Sequence, residues 1–210
     1  LSLGAAGLSP LGDKNISPVV HAADLILLVG YDPIEMRTGW RNLWDSSKTR
    51  VVEFLIAPEY SYMHKSSLRF ICDISEGIEA LSKGLEKKTT WENGELMEMR
   101  DKHKRIYGQK QEWGPGAITE TVRSLVPRDT VITMDSGAHR ILISQAWRTY
   151  VPRSALQSSA FCTMGCALPL ATGAKLADRG RVVVAFMGDG GLEMVLGELI
   201  TLRDLGLPVI

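Results

Sequence analysis

Phe186-Met187-Gly188-Asp189-Gly190-Gly191-Leu192-Glu193-Met194 is the stretch on which the reading of this chain turns. The β-branched run Arg181 to Met187 leads into it as a strand. Leu192, Val195, Leu196 and Leu199 then mark one helical face, and Gly206 and Pro208 end that helix. Three glycines around one carboxylate therefore sit between a buried strand and a helix. Glycine permits positive φ and lets backbone N–H groups come close to an anion, so phosphate is the natural guest. A lone carboxylate repels phosphate directly but can share a divalent cation with it, which makes Asp189 a candidate magnesium ligand. The alternative is a plain strand-to-helix turn with Asp189 as N-cap. Neither a Walker loop nor a dinucleotide fingerprint fits, because no Gly-Lys-Ser/Thr follows and Glu193 stands where a third glycine would be needed.

Working outward, the same pattern occurs a second time. A helix near Ala117 to Val126, a strand at Thr130 to Met134 and a helix around His139 to Trp147 precede a helix at Ala167 to Ala177. Two strands thus deliver two polar turns, Asp135-Ser136-Gly137 and Gly188 to Gly191, to one carboxyl edge of a parallel sheet, where ligands of open α/β folds bind.

The N-terminal part reads as an α/β unit too. Leu25 to Val29 is a continuous apolar run closed by Gly30 and Asp32-Pro33, as a strand buried on both faces would be. Val51 to Ile56, ended by Pro58, is a second strand. Ile78, Leu81 and Leu85 follow at helical spacing, with Ser75 as a possible N-cap. From Glu86 to Glu112 the chain is strongly charged, a wet and partly helical linker that Gly114-Pro115-Gly116 breaks. The expected class is α/β: two parallel-sheet, three-layer units, residues 1–85 as a partial domain and 116–210 as a ligand-binding domain, joined by a charged linker over 86–115. The opening at Leu1 and the apolar Leu207-Pro208-Val209-Ile210, which reads as the start of another strand, lead us to expect a piece of a longer protein.

Composition narrows the partners. Lys plus Arg equal Asp plus Glu at 24 each, so no basic field gathers nucleic acid or a membrane surface. No apolar run approaches the roughly 20 residues of a membrane span, and no signal peptide is apparent, so a cytoplasmic location is expected. Cys72, Cys162 and Cys166 lack the companions of a zinc site and read as reduced thiols.

The Gly-rich stretch, with Gly197-Glu198-Leu199 and Leu207 to Ile210 after it, resembles the diphosphate-binding motif of thiamine-diphosphate (ThDP) dependent enzymes of the acetolactate synthase type. Ser159 to Lys175, SAFCTMGCALPLATGAK, is similar to that family's Gly-Thr-Met-Gly and Leu-Pro-x-x-x-Gly-Ala-Lys segment. Thr133 to His139 is similar to its Asp-x-Gly-x-His turn. Residues 1–85 resemble its middle domain less distinctly.

The resemblance implies ThDP and Mg2+ as cofactors. Asp189 becomes the metal ligand, Gly188, Gly190 and Gly191 lie at the diphosphate, and Gly137, Ala138 and His139 lie close to it. Met164 becomes the apolar wedge over which the cofactor folds, and the Cys162 carbonyl accepts from its aminopyrimidine. Ala138 stands where the family usually has Gln or Asn, Gly191 where Ser is common, and Cys162 where Gly is usual. By the same resemblance, the second metal ligand lies beyond Ile210 and the activating Glu lies before Leu1, so no catalytic residue is assigned within the chain, which alone would be inactive. The implied reaction is decarboxylation or carboligation of a 2-oxo acid such as pyruvate by a homodimer or homotetramer. The alternatives are a decarboxylase resembling benzoylformate decarboxylase and a noncatalytic ThDP-binding module. Gly30-Tyr31-Asp32-Pro33 departs from the FAD-binding synthases, so FAD is not expected.

Overall fold

The computed structural model describes residues 3–32, 43–58, 64–88, 90–107, 113–158 and 161–210. These divide into two compact units, Leu1–Lys102 and His103–Ile210.

In the first unit Ser9 caps helix α1 (Pro10–Ala22) by accepting from Gly12 N at 3.1 Å, with Pro10 in the first turn, where it removes no needed donor. Strands β1 (Leu25–Val29), β2 (Arg50–Leu55) and β3 (Leu68–Ile71) form a parallel sheet in that order, with Leu28 beside Glu53 and Glu53 beside Arg69. Leu28, Leu43, Trp44 and Val51 make its core, and Val20 of α1 packs there. Contrary to expectation, β1 is not buried on both faces: Leu25, Leu27 and Val29 are 42–48% exposed. Helix α2 (Ile74–Ser82) starts two residues earlier than expected. Its N-cap is Asp73, which accepts from Glu76 N at 3.0 Å, rather than Ser75, and Leu85 falls beyond its end.

Inside the charged segment lies helix α3 (Glu95–Tyr107), with Glu95 and Glu98 in its first turn and Lys104 and Arg105 in its last, the order the helix dipole favours. The division between the units falls within it.

In the second unit helix α4 (Pro115–Leu125) leads to strand β4 (Val131–Met134), helix α5 (Ala138–Ala146) and the short strand β5 (Ala155–Gln157). Helix α6 (Ala167–Ala177) and strand β6 (Val183–Phe186) follow. The sheet is parallel in the order β5-β4-β6. Alternation along β4 and β6 sorts side chains to two faces. Ile132, Met134 and Val184 pack with Ile143 and Trp147 and with Val122 of α4, while Val131 and Val183 pack with Ala171 of α6. Helices therefore cover both faces. Ile210 N donates to Val183 O at 3.0 Å and Ala185 N to Ile210 O at 2.7 Å, so the chain beginning at Leu207 lies beside β6 as the sequence suggests.

The helix expected after the Gly-rich turn is two: α7 (Asp189–Met194) and α8 (Glu198–Asp204). Val195, at φ −129° and ψ 22°, leaves helical geometry, and Gly197 follows, so the common apolar face is broken. Among the described residues no helix is long and apolar enough to cross a membrane.

Candidate functional site

Because β4 and β6 are parallel with Met134 opposite Phe186, the chain leaves both strands at the same edge, and Asp135 N donates to Phe186 O at 3.0 Å. Gly137 is the N-cap of α5 and Gly188 that of α7. Neither carries a capping side chain, which leaves the first N–H groups of each helix without one. Asp189 is the first residue of α7 rather than its N-cap. Its carboxylate is exposed, and Oδ1 accepts from Gly190 N at 2.9 Å.

What holds the edge together is a residue for which the sequence suggested no role. Asp135 is fully buried, and its Oδ2 accepts from Gly165 N at 2.8 Å and its Oδ1 from Cys166 N at 2.9 Å. A carboxylate tolerates such burial only when backbone donors satisfy it. A Cβ on Gly191 would stand 1.8 Å from Asp135 Oδ2. One side chain thus ties together the β4 turn, the loop before α6 and the start of α7, which are the three blocks singled out in the sequence. It also makes Gly191 a requirement: the serine common at that position in the resembling family does not fit beside Asp135 in this seat. A carboxylate ending a strand that is otherwise apolar was the available signal.

The remaining candidates gather around this stitch. His139 lies against the two glycine turns, its Cε1 2.8 Å from where a Cβ on Gly137 would be and 3.8 Å from one on Gly188. Its Nε2 is buried and has no hydrogen-bond partner among the described residues. Ala138 is exposed beside it. Met164 is 46% exposed, and its Cε reaches within 3.1 Å of a Cβ position on Gly190. Gly165, at φ +80°, permits that approach, since a Cβ there would meet Val195 Cγ1 at 2.9 Å.

Cys162 has φ +46°, a left-handed conformation that costs a residue bearing a Cβ about 1–2 kcal/mol. Its Sγ accepts from Arg140 Nη1 at 2.9 Å. Cys166 donates from Sγ to Met134 O at 3.6 Å, and its thiol pKa is pushed up, first by burial and then by the neighbouring Asp135. All three cysteines are free. An apolar cleft of about 490 Å³ opens beside Met164, between the loop at Thr163, Pro169 and Leu170 of α6, and Val195.

The arrangement fits a diphosphate bound through a cation. Glycine turns bare of side chains, an unpartnered buried His139 nitrogen and an exposed Asp189 carboxylate share one edge, with a pliant apolar side chain beside them. Gly137, Ala138, His139, Gly188, Asp189, Gly190, Gly191 and Met164 are all brought to it. Among the described residues no three His, Cys, Asp or Glu side chains cluster to hold a metal.

Comparison with known proteins agrees with the fold. Residues 135–210 match the family model described as thiamine pyrophosphate enzyme, C-terminal TPP binding domain. "Acetolactate synthase" of Bacillus subtilis (strain 168) is 29% identical over 202 residues, 91% of this chain and 35% of that protein. "Acetolactate synthase, catabolic" of Raoultella terrigena is 27% identical over 209 residues, 94% of this chain and 36% of that protein. "Acetolactate synthase 1, chloroplastic" of Zea mays is 30% identical over 218 residues, all of this chain and 34% of that protein. The chain thus spans about a third of the length of these relatives. Residues 135–210 thus resemble the C-terminal TPP-binding domain of the thiamine pyrophosphate enzymes, and the chain as a whole is similar to about a third of an acetolactate synthase.

Proposed function

We propose that this chain contributes the diphosphate- and Mg2+-binding half of the site of a ThDP enzyme that decarboxylates a 2-oxo acid such as pyruvate and joins the product to a second carbonyl. The observation that carries the reading is the junction at Asp135, which brings the turn at Gly137 to His139, the loop at Met164 and the turn at Gly188 to Gly191 to one edge.

Each residue then has a task. Asp189 turns its exposed carboxylate to the cation, which frees the Gly190 N–H that it now accepts, and this donor with that of Gly191 serves the diphosphate. His139 Nε2, buried and unpartnered, adds a third nitrogen to the same anion. Met164 supports the rings, and the Cys162 carbonyl receives the aminopyrimidine. Bound ThDP supplies the carbon nucleophile and electron sink needed to part a carboxylate from a 2-oxo carbon. Residues beyond this chain complete the metal shell and the activating acid, and the reading carries with it a homodimer or homotetramer in the cytoplasm, without flavin.

Isothermal calorimetry of the complete natural protein tests the proposal. Binding of ThDP requires Mg2+, and Asp189→Ala abolishes that requirement together with at least about tenfold of affinity. Wild-type protein that releases no heat, or an Asp189→Ala variant that binds as tightly and as magnesium-dependently, refutes it.

A further inference from the structure

Arg140 is 7% exposed, on the first turn of α5, and its guanidinium reaches the loop that carries Met164. Its Nε donates to Gln157 Oε1 at 2.8 Å, at the end of β5, and its Nη1 to Cys162 Sγ at 2.9 Å. The thiol of Cys162 in turn donates to Ser158 O at 3.7 Å. Gln157 is itself fixed, since β5 pairs with β4 at Met134. One guanidinium therefore fastens the loop entering α6 to the sheet.

The residue it fastens is one with a reason to move. Cys162 holds a left-handed backbone that a residue with a Cβ disfavours, and Met164 follows two positions on with its Cε against Gly190. Glycine would take that conformation freely; cysteine takes it here with a charged donor on its sulfur. We propose that Arg140 is a positioning residue: it holds Cys162 in the left-handed conformation and so presents the Cys162 carbonyl and the Met164 side chain to the aromatic part of the cofactor. Arg140 and Cys162 act as a pair that replaces glycine. This rests on the ThDP reading above.

The test separates the rings of the cofactor from its diphosphate, using ThDP and inorganic pyrophosphate as probes, each with Mg2+, on the complete protein. In Arg140→Met the Kd for ThDP rises about tenfold, while that for pyrophosphate stays within about twofold of wild type. Adding Cys162→Gly to Arg140→Met restores ThDP affinity to within about threefold, because glycine needs no tether. Equal losses for both probes, or no recovery in the double variant, overturns the inference. Wild-type protein that binds neither probe is a different failure, that of the proposed function.

Discussion

Replacing Gly191 by alanine tests the stitch at Asp135 most sharply. The new Cβ would fall 1.8 Å from Asp135 Oδ2 and 3.1 Å from Cγ, so the carboxylate has to leave its seat. The end of a flexible side chain would swing aside at little cost. This one is short and fully buried, and it holds the N–H groups of Gly165 and Cys166 at 2.8 and 2.9 Å. Two hydrogen bonds to a charged acceptor, each worth about 1.5–3 kcal/mol, are at stake, so Gly191→Ala should destabilise the second unit by about 3–5 kcal/mol. That exceeds the 1–3 kcal/mol typical of simple overpacking and is a large share of the 5–15 kcal/mol that holds a domain together.

With a urea dependence of about 2 kcal/mol per molar, the unfolding midpoint should fall by about 2 M, readable by far-ultraviolet circular dichroism. The decisive measurement is a double-mutant cycle. Asp135→Ala removes both the hydrogen bonds and the obstacle, so Asp135→Ala/Gly191→Ala should be scarcely less stable than Asp135→Ala alone. A Gly191→Ala cost below about 1 kcal/mol, or two costs that simply add, would refute the reasoning.

Other consequences are smaller. Thr133→Val keeps the volume of a fully buried side chain and removes its 2.8 Å hydrogen bond to Ala167 O, so the second unit should lose about 1 kcal/mol in urea unfolding, and no loss would show that contact to be idle. In the first unit Glu53, its side chain 5% exposed, receives Arg69 Nε at 2.7 Å and Ser66 Oγ at 3.0 Å. Arg69→Met should cost about 2–3 kcal/mol by leaving that carboxylate poorly compensated, and Arg69→Met/Glu53→Gln should regain much of it; a double variant as unstable as the single one would contradict this. His64 packs on Tyr31 and Trp44, and its pKa is lowered from the ordinary 6.5, chiefly by burial, with the charge of Glu53 opposing. Below about pH 6.5 the unfolded chain then binds more protons than the folded one, so first-unit stability should fall as pH drops through that value, and thermal melts of His64→Phe should show a flatter acid limb. An unchanged limb would remove His64 as its source.

The strand β1 and the helix α6 were legible at their true limits, and so was the shared edge of β4 and β6, because the strands are written as continuous apolar runs, even where, as in β1, one face is exposed, and the polar turns stand out after them. Strand β3 was missed: it has four residues with Arg69 among them, and that charge is answered by Glu53 on the neighbouring strand. Strand β5 has three residues and carries no periodicity to read. Helix α1 was missed as well, since Pro18 in its interior obscured the pattern. In the site, the glycine turns, His139 and Met164 were visible as residue types. The role of Asp135 was not, since the N–H groups it receives lie 30 and 31 residues further along and meet it only through tertiary structure.

The order of strands in the second sheet also sets the order in which this edge is built. Strand β4 is central and comes first in the chain, and both of its neighbours come later, β5 through the pairing of Ile132 with Ala155 and β6 through that of Val131 with Val183. Each pairing closes a long loop before any ladder bond rewards it, which makes parallel sheets slow to assemble. The loop before α6, with the N–H groups of Gly165 and Cys166, precedes β6 in the chain and can reach Asp135 as soon as α6 docks; the turn at Gly191 can do so only once β6 has docked on β4. On a ribosome, the first two blocks of the site therefore wait for the third, and Asp135 completes its junction only when β6 docks.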